Sequence, residues 1–210
     1  MKTIIQRYGV IAFLLLILGT AAQAQTQSRN DLQFNINYNV NIPSGSFRDF
    51  VGKPAYKGFT AGLAYPVTSQ LRVGLSLGYN DYYQKYPRQV YSEGAGTDVS
   101  AVVSNSVQQI PLLATVDYTL LKKGFIRPYV GAGAGLNFVS LDQYLGEFDN
   151  PQSSTHFAVR GEAGVLIPLS SYSATAIRIG GSYNYAPYNK DGISNLDNWG
   201  IHAGVSIPIR

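Results

Sequence analysis

The chain has 210 residues, a formal net charge of +4, 45% hydrophobic and 13% charged residues, 22 glycines and no cysteine. The missing thiols exclude disulfide staples, thiolate metal sites and cysteine nucleophiles. A weak positive excess with no basic run excludes a nucleic-acid partner, which demands a concentrated cationic face.

At the start of the chain, Lys2 and Arg7 precede the apolar run VIAFLLLILGTAA, and Ala22-Gln23-Ala24 then has the small-x-small form of a signal peptidase site. The apolar run holds about a dozen residues, short of the roughly 20 that a spanning helix needs. Residues 1–24 are therefore expected to be a signal peptide and residues 25–210 the exported domain, of about 186 residues and a charge near +2 once Lys2 and Arg7 are removed. Without a cysteine after the run, the lipoprotein route is closed. No later segment resembles a transmembrane helix, so any membrane crossing falls to strands.

From Asp31 onward no amphipathic helix is predicted, and eight segments alternate with period two. In LQFNINYNVNI, Phe34, Ile36, Tyr38, Val40 and Ile42 take one face, and Asn35, Asn37, Asn39 and Asn41 the other. FTAGLAYPV sets Phe59, Leu63, Tyr65 and Val67 against Thr60 and Gly62, and LRVGLSLGYN sets Leu71, Val73, Leu75 and Leu77 against Arg72, Gly74 and Ser76. IPLLATVDYTL opposes Leu112, Val116 and Tyr118 to Thr115 and Asp117; RPYVGAGAGLNF opposes Val130, Leu136 and Phe138 to Tyr129, Gly131 and Asn137. The last three, HFAVRGEAGVLI, TAIRIGGSYNY and NWGIHAGVSIPI, oppose Phe157, Val159, Ile177, Ile179, Trp199 and Ile201 to Arg160, Glu162, Arg178 and His202. Every segment has one apolar face and one face of small, amide or charged residues.

The connections alternate in length. TSQ, KKG and SSYSA are near the hairpin minimum, whereas residues 43–57, 81–108, 140–155 and 186–197 form long joins. Short turns on one rim and long external loops on the other are the pattern of outer-membrane barrels, and about ten residues per strand, tilted near 45°, fit their ~25 Å apolar band. Aromatics such as Tyr38, Phe59, Phe157 and Trp199 fall toward the long-loop ends, and Tyr65 and Tyr118 toward the other, as a membrane girdle requires. A soluble lipocalin-like barrel, carrying an apolar ligand inside, would instead show Lys, Glu and Asp across its wet outer face. Here that face is mainly Gly, Ser, Thr and Asn, which suits a narrow lumen.

The signal peptide, the eight segments, the glycine-rich PYVGAGAGLNF and the terminal WGIHAGVSIPIR together resemble the small outer-membrane β-barrel domain family of Gram-negative bacteria, which has the architecture of the outer-membrane protein A transmembrane domain. The resemblance implies an all-β fold, an eight-stranded antiparallel up-and-down transmembrane barrel. It also implies outer-membrane lipid and the barrel-assembly machinery as partners. One departure stands out: many such proteins end in an aromatic residue read by that machinery, and this sequence ends Ile209-Arg210.

For chemistry, the inward face predicts a polar network plugging the lumen, made of Asn35, Asn37, Asn39, Arg72, Asp117, Arg127, Arg160, Glu162, Arg178 and His202, because charges away from water must pair. The alternative is a selectivity constriction passing small molecules. The alternative of a lipid-acting outer-membrane barrel enzyme would need His156 or His202 as base beside a nucleophile such as Ser182 or Ser206; lone histidines favour a non-enzymatic role without metal or cofactor. GAGAGLNF lacks the spacing and the following helix of a phosphate loop. Tyr82, Tyr83, Lys85, Tyr86, Arg88 and Tyr91 form a candidate external binding loop for a sugar or protein, since tyrosine offers area and a hydroxyl at low entropic cost. The function expected is envelope structure, surface binding or limited small-molecule passage.

Overall fold

The computed structural model describes residues 31–87, 89–93, 97–101, 103–145, 148–169, 175–190 and 193–209. The expected signal peptide lies outside them. Along the chain run β1 (Leu32–Pro43), α1 (Ser46–Phe50), β2 (Ala55–Pro66), β3 (Leu71–Lys85), β4 (Gln89–Glu93), β5 (Thr97–Ala101) and β6 (Val103–Thr119). They are followed by β7 (Arg127–Leu145), β8 (Phe148–Pro168), β9 (Ala176–Tyr185), β10 (Pro187–Lys190), β11 (Ile193–Asn195) and β12 (Asn198–Ile209).

Strands β1, β2, β3, β6, β7, β8, β9 and β12 make a closed antiparallel barrel of eight, each paired with its neighbour along the chain, and β12 returns to β1 in register from Leu32↔Ile209 to Pro43↔Asn198. Closure leaves no strand edge to face lipid, which explains why a sheet can cross a bilayer at all. Two small hairpins, β4–β5 and β10–β11, stand apart from the barrel sheet.

Alternation translates directly into two surfaces. Leu75 and Ile201, each 60% exposed, represent the outward apolar face, while Asn35, Asn37, Asn39 and Asn41 are buried inside. The aromatics form continuous rows across strands. Tyr38, Phe59 and Tyr79 are successive register partners on β1, β2 and β3, and Trp199 meets its partner Tyr183 at a tilt, 4.7 Å between centroids. Such rings hold the barrel at headgroup level.

Two expectations about the joins are corrected. Residues 140–155 are not a long loop, because β7 and β8 run on as a paired ladder up to Leu145↔Phe148; likewise β3 and β6 stay paired as far as Lys85↔Ser104. The alternation continues there with its sense reversed. On β7, Leu136 and Phe138 face out and Asn137 faces in, but two residues later Val139 and Leu141 are the buried side chains. A search for apolar-outward strands reads that reversal as an end. The join 43–57 also contains the five-residue α1, a helix that no periodicity announced.

The barrel interior is consequently of two kinds. Through the middle it is mainly polar, and toward the short turns a small apolar cluster of Tyr129, Leu166 and Ala176 adjoins the polar groups. At the long-loop end Phe47, Val51, Tyr82, Val107, Val139, Leu141, Tyr188, Ile193 and Leu196 pack into one apolar cluster.

Candidate functional site

The charged centre of the lumen grows from one register row. Arg72 on β3 pairs with Asp117 on β6, Asp117 with Gly131 on β7, and Gly131 with Glu162 on β8. All four belong to the inward set, so the two carboxylates flank a residue with no side chain. A Cβ on Gly131 would come 2.5 Å from Asp117 Oδ1 and 3.0 Å from Glu162 Cγ. A side chain there would push against the two acids that Arg178 holds.

Arg178, reaching in from β9, bridges both acids. Its Nη1 donates to Asp117 Oδ2 at 3.0 Å and its Nη2 to Glu162 Oε1. The guanidinium also lies over the Tyr129 ring, 4.1 Å from the centroid. Tyr129 in turn shares a 2.8 Å hydrogen bond between its hydroxyl and His202 Nε2. One planar cation thus holds two acids that would otherwise repel across a low-dielectric space. Arg72 sits 3.9 Å from Asp117 Oδ2 and donates to Gln33 Oε1 at 3.1 Å, so it is the less closely matched cation. Arg160 is bound separately, through Nε to Asn184 Oδ1 at 2.8 Å.

The asparagines of β1 line the same space. Asn39 donates to Thr60 Oγ1 and Asn41 to Asn80 Oδ1, both at 2.6 Å. The remaining free volume among them and the ionic cluster is about 50 Å³, enough for a few waters and little else.

The outer end is closed differently. Phe47 of α1 is fully buried and meets Tyr82 edge-on at 4.8 Å. The segment carrying it is fastened to the β10–β11 hairpin: Ser194 and Asn195 donate their backbone N–H groups to Ser46 Oγ at 3.1 and 3.2 Å. Ser44 donates its N–H to the Asp197 carbonyl at 2.9 Å. Asp197 accepts from Ala186 N at 2.9 Å and from the Tyr183 hydroxyl at 3.1 Å, tying that lid to β9. Gly45 makes the bend into α1 with φ 60°, a left-handed conformation that favours glycine.

Of the lumen residues predicted from sequence, Arg72, Asp117, Glu162 and Arg178 come together, His202 joins through Tyr129, and Asn35, Asn37, Asn39 and Arg160 lie buried around them. Arg127 does not join. As the first residue of β7 it stands at the short-turn rim, where its Nε donates to Gly124 O at 3.4 Å. In the candidate binding loop Tyr82 is corrected to a core residue, since it faces inward above the membrane. Tyr83 and Lys85 are exposed, and Tyr86 donates to Phe50 O at 3.1 Å, bracing α1. Arg88 and the side chain of Tyr91 lie outside the described residues.

Sequence reasoning omitted Tyr129, Gln33, Thr119 and Asn184 from the network, although their inward parity was visible. It omitted the apolar lid altogether, because Phe47, Tyr188, Ile193 and Leu196 sit in segments too short to show a period. A model of the outer membrane protein beta-barrel domain matches residues 11–207. The chain belongs to this outer-membrane β-barrel family. Its place is the outer membrane, with the short turns toward the periplasm and the long extensions outside.

Solved outer-membrane barrels share the fold. OprG from Pseudomonas aeruginosa is 12% identical, with 89% of this chain and 99% of that chain covered at a TM-score of 0.53. Neisserial surface protein A is 20% identical, with 85% and 96% covered at 0.50. The N-terminal barrel domain of Pseudomonas aeruginosa OprF is 16% identical, with 87% and 100% covered at 0.46. No curated protein matches the chain by sequence. At these identities the likeness is one of fold.

Proposed function

We propose that this barrel is a non-enzymatic surface-binding protein whose wall extensions engage an extracellular sugar or protein. The observation that carries the reading is a lumen occupied in two successive layers, the Asp117–Arg178–Glu162 cluster and the Phe47 lid, with about 50 Å³ between polar groups. Blocked inside, the molecule offers its outer surface. The ladders β3–β6 and β7–β8 raise that surface above the lipid, and Tyr83 and Lys85 are exposed on it.

The placement of His202 supports the non-enzymatic part, since it is buried in the lumen. His202 is held by Tyr129 inside the barrel. Among the described residues no cluster of His, Asp and Glu is arranged to hold a metal.

The test pairs two assays on purified, refolded protein. Planar-bilayer recordings are expected to show no steady conductance. Binding to whole extracellular glycans or host proteins on arrays is expected to fall at least tenfold when residues 88–102 are replaced by a short Gly-Ser turn, with gel heat-modifiability retained. A stable ohmic channel in the wild-type chain would sink the reading and make the polar lumen a pore.

A further inference from the structure

The periplasmic mouth of the barrel holds a vestibule of about 220 Å³, on the opposite side of the ionic cluster from the proposed binding surface. Its inner end is Arg72, whose side chain is 10% exposed. The ion pair of Arg72 is the loose one of the cluster. Asp117, the carboxylate nearest Arg72, is 3.9 Å away from it and lies closer to Arg178 at 3.0 Å. Among the described residues the Arg72 Nη atoms have only neutral acceptors within hydrogen-bond distance, Gln33 Oε1 at 3.1 Å and Thr119 Oγ1 at 3.5 Å, and its buried Nε has no hydrogen-bond partner.

The rim adds more positive charge. Arg127 and Lys122 line the vestibule together with Asp31, the one carboxylate among the described lining residues, and Leu166 and Pro168 supply apolar wall. With Arg72 and its loosely paired Asp117, the described residues at the pocket therefore set three cations against two anions. A concave site with an excess of one sign and low-dielectric walls concentrates field and draws the opposite charge. A guanidinium presents two parallel N–H donors that match the oxygens of a carboxylate or phosphate.

We propose that this vestibule is a binding site for a small oxyanion of the periplasm, a phosphate or a carboxylate, seated against Arg72 and steered in by Arg127 and Lys122. Bound there, the anion supplies the second counter-charge that Asp117 gives mainly to Arg178.

The experiment follows arginine Nε–H resonances of ¹⁵N-labelled full-length barrel in detergent micelles. Sodium phosphate, sodium acetate and sodium chloride are titrated separately at matched ionic strength. One arginine signal, absent from Arg72→Gln, is expected to shift saturably with phosphate or acetate and not with chloride. Arg127→Gln, altered only at the rim, is expected to keep its folded gel mobility and weaken binding about three- to tenfold. A response to phosphate alone assigns a free phosphate, and a response to both assigns a carboxylate-type ligand as well. Equal shifts in all three salts, or an unchanged affinity in Arg127→Gln, would overturn the site. If Arg72→Gln does not fold, Lys122→Gln with Arg127→Gln carries the same comparison.

Discussion

The membrane-embedded part of the wall and the part above it are made by the same strands, yet they obey opposite rules. Below, β7 turns Leu136 outward to lipid and Asn137 inward; above, the same strand turns Val139 and Leu141 inward and Ser140 outward. The backbone alternation never changes phase. What changes is the solvent outside, and with it which parity must be apolar. In lipid the interior is free to hold charges that pair with one another, whereas in water the interior must supply the hydrophobic burial itself. The protein is an inside-out barrel carrying a conventional one on top.

That contrast can be broken first where the charges are. Arg178→Gln leaves Asp117 and Glu162 facing each other without their shared cation, and removing one partner of a buried ionic group costs about 3–5 kcal/mol. The barrel is expected to lose folded, fast-migrating protein at lower guanidinium concentration, and adding Asp117→Asn and Glu162→Gln is expected to recover much of the loss. If Arg178→Gln is as stable as wild type, the cluster is not what holds the lumen together.

The upper region should fail differently. Phe47→Ala removes a fully buried ring that meets Tyr82, at a cost of about 3–5 kcal/mol. Because α1 is attached through side-chain and turn contacts and not through the barrel ladder, the expected outcome is local. Protease should cut within residues 44–54 much faster while the heat-modified gel band is unchanged. Loss of the band would mean that lid and barrel form one cooperative unit.

A smaller effect sharpens the steric side of the comparison. Gly131→Ala inserts a methyl group 2.5 Å from Asp117 Oδ1, and crowding of this kind costs about 1–3 kcal/mol. The outward Gly161, whose added Cβ would meet nothing within 4 Å, should tolerate the same substitution within about 0.5 kcal/mol. Denaturant midpoints of the two variants make the measurement.

How much of this was legible beforehand follows the same division. In the membrane part, apolar residues at every second position located all eight strands, and parity placed Arg72, Asp117, Glu162 and Arg178 on one surface. Their partnership was not legible, because it depends on tilt and register: Arg178 reaches Asp117 from two strands beyond its neighbour on β8. The upper part was misread as loop where Val139, Leu141 and Val107 reverse the polarity of the pattern. Tyr82 was assigned to an outer surface for the same reason, since composition alone does not say which side of a wall a tyrosine faces. Phe47 and Leu196 close the mouth from short segments that carry no repeat at all.

The seam between β1 and β12 sets the order in which the molecule can be finished. Its twelve register pairs, from Leu32↔Ile209 to Pro43↔Asn198, join the first strand to the last, so they span the greatest sequence separation in the fold. Such contacts bear the largest loop-closure entropy and are the last rewarded. Until β12 arrives, β1 presents a full edge of unpaired N–H and C=O groups, which hydrocarbon cannot satisfy. Insertion into lipid and completion of the ring are therefore kinetically coupled events, and the edge needs sheltering for as long as they remain incomplete.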